Sequence, residues 1–170
     1  MKRLTLIRHA KSDWDNRLPD FERPLNARGE GDVPRMAARM LQYHERPDRL
    51  LSSPAVRALR TSTLLAHGLG IPEQEIRTEK DLYNASARAL LDCLRATTDD
   101  HIGHLVLVAH NPGITDLANQ LTNSRIDDLP TCAVLGAELE IEHWHEARPG
   151  CGRVRYYDYP KNPSAPEQRD

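Results

Sequence analysis

Two short apolar runs dominate the pattern of the chain. Leu4-Thr5-Leu6-Ile7 leads straight into Arg8-His9, and Leu105-Val106-Leu107-Val108-Ala109 leads into His110-Asn111-Pro112-Gly113. Runs of this length, rich in branched residues and ended by polar or turn residues, predict strands buried on both faces of a mostly parallel sheet. The strands are placed over 3–7 and 105–109. Each delivers a histidine at its carboxyl end, the edge where ligands of open α/β sheets bind.

Helical spacing fills the intervals. Met36, Ala37, Met40 and Leu41 predict a helix over about 31–44, with Pro34 in its first turn, where proline is tolerated. A short strand follows over 49–52. Ser53-Pro54 reads as a cap and first position for a helix running to about 66 or 67, stopped by Gly68 and Gly70. A further short strand is placed near 76–78. Ser86 caps a helix over 87–95 that turns Leu90, Leu91 and Leu94 inward. Asn111-Pro112 opens a helix whose apolar face is Ile114, Leu117, Ala118 and Leu121. Strands over 133–143 and 153–159, joined by Arg148-Pro149-Gly150, read as an antiparallel pair. His143 and His145 share one face of the first of these, and the remaining histidines, His104 among them, read as surface or edge residues. The order predicts an α/β three-layer αβα sandwich with a mostly parallel central sheet and an antiparallel edge. Residues 1–160 form one domain, and 161–170 read as a Pro-rich, charged, disordered tail.

Composition narrows the function classes. The 170 residues suffice for one sizeable core, and the formal charge of −2 gives no reason to expect a nucleic-acid binder. A mean hydropathy of −0.64 and the lack of any run near membrane-spanning length predict a cytoplasmic protein without a membrane partner. Cys93, Cys132 and Cys151 are scattered and form neither a disulfide framework nor a zinc cluster.

The candidate chemistry lies where the two runs end. Arg8, His9, Arg57 and His110 all arrive from strand ends or a helix start. The long polar connection over 10–28 is placed above them and brings Lys11, Arg23 and Arg28 to the rim, with Trp14 and Tyr83 as packing or lid residues. Cations this concentrated, with no carboxylate forced among them, suit phosphate, which arginine binds through paired donors. A neutral histidine can attack phosphorus, so His9 is the candidate nucleophile, water completes hydrolysis, and the other three residues neutralise the phosphoryl oxygens. No metal or other cofactor is required by this scheme. Ser53 and Asn111 are fully explained as helix caps.

These residues carry a family resemblance over nearly the whole chain up to the tail. Arg8-His9-Ala10 resembles the Arg-His-Gly signature of the histidine phosphatase superfamily, the phosphoglycerate mutase-like fold. Ser52-Ser53-Pro54-Ala55-Val56-Arg57 is similar to its second motif and Val108-Ala109-His110-Asn111-Pro112-Gly113 to its third. The strings Arg8-His9-Ala10-Lys11-Ser12 and Arg23-Pro24-Leu25-Asn26-Ala27-Arg28-Gly29 are similar to the short SixA-type phosphohistidine phosphatases. The resemblance implies a core of Arg8, His9, Arg57 and His110, with Ser12 and Arg28 as pocket or rim residues. It implies phosphohistidine on a protein, such as a phosphotransfer domain, as substrate. Two departures stand out. Ala10 replaces the usual glycine, which is tolerated if its φ is negative. The glutamate that protonates an alkoxide leaving group in larger members has no clear counterpart, and Glu79 and Asp81 are the candidates for that acid. The alternatives are a small-molecule phosphomonoesterase of the same superfamily and a phosphate- or phosphoprotein-binding module without turnover. Nothing in the sequence sets the oligomeric state.

Overall fold

The computed structural model describes residues 1–14 and 17–164. The expectation of disorder for residues 165–170 lies outside the described residues.

Six strands form one sheet in the order β3-β2-β4-β1-β5-β6. They are β1 (Lys2–Arg8), β2 (Arg49–Ser52), β3 (Ile76–Thr78), β4 (His104–Ala109), β5 (Val134–Leu139) and β6 (Gly152–Asp158). The pairs β3–β2, β2–β4 and β4–β1 are parallel, while β1–β5 and β5–β6 are antiparallel. β1 and β4 are therefore central neighbours, with Arg8 opposite Ala109. That register sets His9 and His110 side by side at one edge.

The helices are α1 (Ala27–Gln42), α2 (Val56–Leu69), α3 (Ala87–Arg95) and α4 (Gly113–Thr122). Successive strand residues point to opposite faces. Ile7, Leu50, Val106 and Val108 pack against Met36, Met40 and Leu65 of α1 and α2. Leu4, Leu6, Leu105 and Leu107 pack against Leu90, Leu94, Leu117 and Leu121 of α3 and α4. This is the expected αβα sandwich with an antiparallel edge.

Five local readings are corrected. α1 begins well before residue 31 and holds Pro34 in its interior; Asn26 is its cap, accepting from the Gly29 amide at 2.9 Å. α2 begins at Val56, and Ser53 is not its N-cap: the Ser53 hydroxyl accepts the Ala55 amide at 3.2 Å in the approach loop. The cap position of α4 is Pro112, with Asn111 turned away to Thr115, Asp128 and the Leu129 carbonyl. His104 is buried rather than at the surface, its Nε2 2.7 Å from Glu45. β5 also ends at Leu139, so the stacked rings of His143 and His145 lie at a 3₁₀ turn (Trp144–Glu146) instead of on a strand.

Candidate active site

His9 leaves β1 with its amide donating to the Ala109 carbonyl at 3.1 Å, which locks it to the end of β4. Its Nδ1 lies 2.8 Å from the Ala10 carbonyl. A carbonyl only accepts, so Nδ1 carries the hydrogen and Nε2 presents a lone pair. Arg57 Nε donates toward that lone pair at 3.4 Å. Burial pushes the His9 pKa down to about 3, and nearby His110, Arg57 and Arg8 act in the same direction against the Ala10 hydrogen bond. The ring is therefore neutral and nucleophilic throughout the physiological range.

His110 is held in the complementary sense. Its Nδ1 is 3.4 Å from Arg57 Nη2 and its Nε2 is 2.7 Å from Ser53 Oγ. Guanidinium only donates, so Nδ1 accepts and Nε2 carries the hydrogen. Burial first, and then Arg57, lowers the His110 pKa to about 4. The two imidazole centroids are 5.1 Å apart. An arriving phosphoryl dianion would reverse that electrostatic balance at His110 and let Nδ1 take a proton and donate it as a hydrogen bond.

Backbone groups near the pair are fixed by Thr61. Its hydroxyl accepts the buried Ala10 amide at 3.0 Å and donates to the Arg57 carbonyl at 2.8 Å. Ala10 does not have a positive φ and is fully buried, so its methyl group is accommodated. Arg8 donates from Nη1 to the Leu129 carbonyl at 2.9 Å, while its buried Nε has no partner among the described residues.

Arg8, His9, Lys11, Ser12, Arg23, Arg57 and His110 all line one pocket of about 310 Å³. Arg23 is buried, donates to Ser12 Oγ at 2.7 Å, and lies under the Trp14 ring at 3.6 Å. Arg28 stands outside this pocket on α1, exposed and paired with Asp32 at 3.5 Å. Glu79 and Asp81 line a neighbouring cavity between β3 and α3, of about 870 Å³, which meets the first at Asn84. Among the described residues no group of three or more His, Cys, Asp and Glu side chains is arranged to hold a metal ion.

Sequence reasoning missed Asp20. A 3₁₀ turn (Asp20–Glu22) in the long loop carries its carboxylate onto the cations. Oδ2 accepts from Arg57 Nη2 at 3.1 Å and from the Tyr83 hydroxyl at 2.6 Å, and Oδ1 accepts from Arg23 Nη2 at 3.1 Å. The Asp20 carbonyl accepts from Arg57 Nη1 at 2.7 Å. The Tyr83 hydrogen bond, then Arg57, holds the Asp20 carboxyl down at about 2. The only local trace in the sequence is its i,i+3 spacing to Arg23. Tyr83, foreseen as a packing or lid residue, fixes Asp20 and meets His110 edge-on with centroids 5.6 Å apart.

A parallel-centred αβα sheet with a neutral, aimed histidine among arginines at its strand ends is the framework of a phosphoryl-cleaving hydrolase. Residues 4–90 match the histidine phosphatase superfamily (branch 1), and the chain belongs to that family. An uncharacterized chloroplastic protein of Arabidopsis thaliana is 29% identical over 154 residues, spanning 86% of this chain and 70% of that protein. The structure of the protein histidine phosphatase SixA complexed with tungstate superposes with a TM-score of 0.79 at 20% identity, covering 93% of this chain and 97% of that one. A mycobacterial glucosyl-3-phosphoglycerate phosphatase shares the fold with a TM-score of 0.62 at 16% identity, covering 91% and 97%. The chain is thus a histidine-phosphatase-type hydrolase whose fold closely matches the SixA type. No described helix is long and apolar enough to cross a membrane.

Proposed function

We propose that the protein hydrolyses phosphohistidine on a partner protein, through a phosphoryl group carried transiently on His9 Nε2. The observation that carries this reading is the state of His9: Nδ1 fixed on the Ala10 carbonyl, Nε2 unprotonated and directed at Arg57. Phosphorus brought to Arg57 meets that lone pair. Arg57, Arg8 and His110 take up the charge that spreads over the equatorial oxygens. The P–N bond to the substrate imidazole breaks, and water then releases phosphate from His9.

Two features favour a phosphoramidate carried by a protein. The carboxyl in the pocket, Asp20, is ionised, so it has no proton to give an alkoxide. An imidazole leaving group that enters with its own ring proton needs none. The elements around the pocket also carry exposed apolar side chains, of which Trp14 lines the pocket itself. Trp14, Leu18, Phe21, Val56 and Leu59, five of the seven exposed large hydrophobic residues among the described residues, belong to the long loop or to the first turn of α2 around Arg57. Exposed apolar surface of this kind marks protein contact, and a polar sugar phosphate would leave it unused.

The test gives the protein and its His9→Ala variant a phosphohistidine-bearing phosphotransfer domain, phosphoimidazole and a panel of phosphomonoesters. Rapid His9-dependent loss of phosphohistidine is expected. Leu59→Asp should lower kcat/KM on the phosphoprotein about tenfold and leave phosphoimidazole unchanged. A His9-dependent preference for one small ester would replace the protein substrate, and turnover that survives His9→Ala would remove the covalent scheme.

A further inference from the structure

The carboxylate of Asp20 has three side-chain partners: Arg57 and Arg23, which line the pocket that contains His9, and Tyr83, which lines the neighbouring cavity and meets His110 edge-on. Arg57 is shared: its Nε faces His9 Nε2 and its Nη2 faces Asp20 Oδ2. Asp20 therefore stands across one guanidinium from the nucleophile. The two groups differ in access. His9 is buried, while the Asp20 side chain is about half exposed at the mouth. Displacement at phosphorus is in line, so water that attacks a phosphoryl group on His9 must come from the side away from Nε2, which is the side of the mouth.

We propose that Asp20 is the general base that takes a proton from this water, the phosphoryl group having displaced its carboxylate from Arg57. The proposal rests on the phospho-His9 reading above. Oxygen of water bonds to phosphorus as the P–Nε2 bond breaks and its electron pair returns to His9. One water proton passes to Asp20 Oδ2, and the other stays on the departing phosphate. Asp20 then gives its proton to solvent. Arg23 and Tyr83 hold the carboxylate at the mouth while Arg57 is engaged with phosphate. Losing Arg57 as partner and gaining an anionic neighbour both raise the basicity of Asp20 at the moment it is needed. Neither Glu79 nor Asp81 lines this pocket, so among the described residues Asp20 is the carboxylate placed for the step.

The test is rapid quench with 32P-phosphoimidazole, a small probe that needs no docking partner, on the wild-type protein and on Asp20→Asn and Asp20→Ala. Phosphorylation of His9 within a few-fold of wild type, followed by hydrolysis slowed tenfold or more and on the order of a hundredfold, is the expected result. Labelled phospho-His9 then accumulates in both variants, and added formate restores hydrolysis in Asp20→Ala. The proposal falls if phospho-His9 decays in Asp20→Asn within tenfold of the wild-type rate. It also falls if both steps slow together without formate rescue, because Asp20 then only positions Arg57. Absence of phospho-His9 in the wild-type protein would instead overturn the covalent reading on which it rests.

Discussion

Acid should destabilise this protein through the same burial that keeps the His9 ring neutral. His9 keeps its neutral ring down to about pH 3 in the folded chain, against an ordinary value of 6.5. Between those limits the unfolded chain binds the extra proton, so folding stability rises with pH there and is lost as pH falls from 6.5 toward 3. At pH 5 the unfolded ring is almost wholly protonated and the folded ring almost wholly neutral, a difference of about 2 kcal/mol relative to pH 7.5. His110, neutral to about pH 4, adds a loss of similar size at pH 5. Together these approach half the stability of an ordinary small domain. Urea unfolding at pH 7.5 and pH 5.0, for the wild-type protein and His9→Gln, isolates the His9 share. The drop between the two pH values should be about 2 kcal/mol smaller in the variant, since glutamine has no proton to refuse. Equal drops, or an NMR titration of the His9 ring with a midpoint near 6.5, would refute the reasoning.

Two further outcomes follow from the scaffold behind the site. Thr61→Val should cost roughly 1–3 kcal/mol in urea unfolding, because it leaves the buried Ala10 amide without an acceptor, and should lower the rate of His9 phosphorylation by loosening the loop that fixes Nδ1. Gly29→Ala should cost about 1–3 kcal/mol, since the added methyl overlaps the Lys11 carbonyl oxygen and must push the long loop off α1; unchanged stability and unchanged kcat would contradict that packing.

The core strands were readable because burial on both faces leaves contiguous apolar runs, as at Leu105 to Ala109, which are fully buried. The Ser86 cap was readable because its hydroxyl serves its own helix, accepting the Ala89 amide at 3.2 Å. Ser53 and Asn111 have the same local signature and broke the rule. Ser53 is engaged by His110 of the site, while the Asn111 side chain accepts from the Thr115 hydroxyl and donates to Asp128 and the Leu129 carbonyl instead of capping a backbone amide. Local propensity fails most often where function claims the side chain. Asp20 and His104 were hidden for a different reason. Asp20 finds Arg57 37 positions away and Tyr83 63 positions away, and His104 meets Thr5 across 99 positions. No window of sequence contains such partners. Pro34 inside α1 shows the opposite error: a sound local penalty was outweighed by the Asn26 cap and by the burial of Val33, Met36 and Met40.

The place of β1 in the sheet bears on how the chain emerges during synthesis. β1 is made before every other strand described, yet both of its hydrogen-bonding neighbours, β4 and β5, begin at His104 and Val134. At a ribosomal pace of roughly 5–20 residues per second, its backbone and the apolar Leu4, Leu6 and Ile7 wait on the order of 5–20 s for the first neighbour. α1, β2 and α2 are complete long before that and cannot close their sheet without it. The nascent chain therefore presents an unpaired central strand until β4 emerges, a natural target for a ribosome-associated chaperone, and His9 and His110 come together only when β1 is clasped between these later strands.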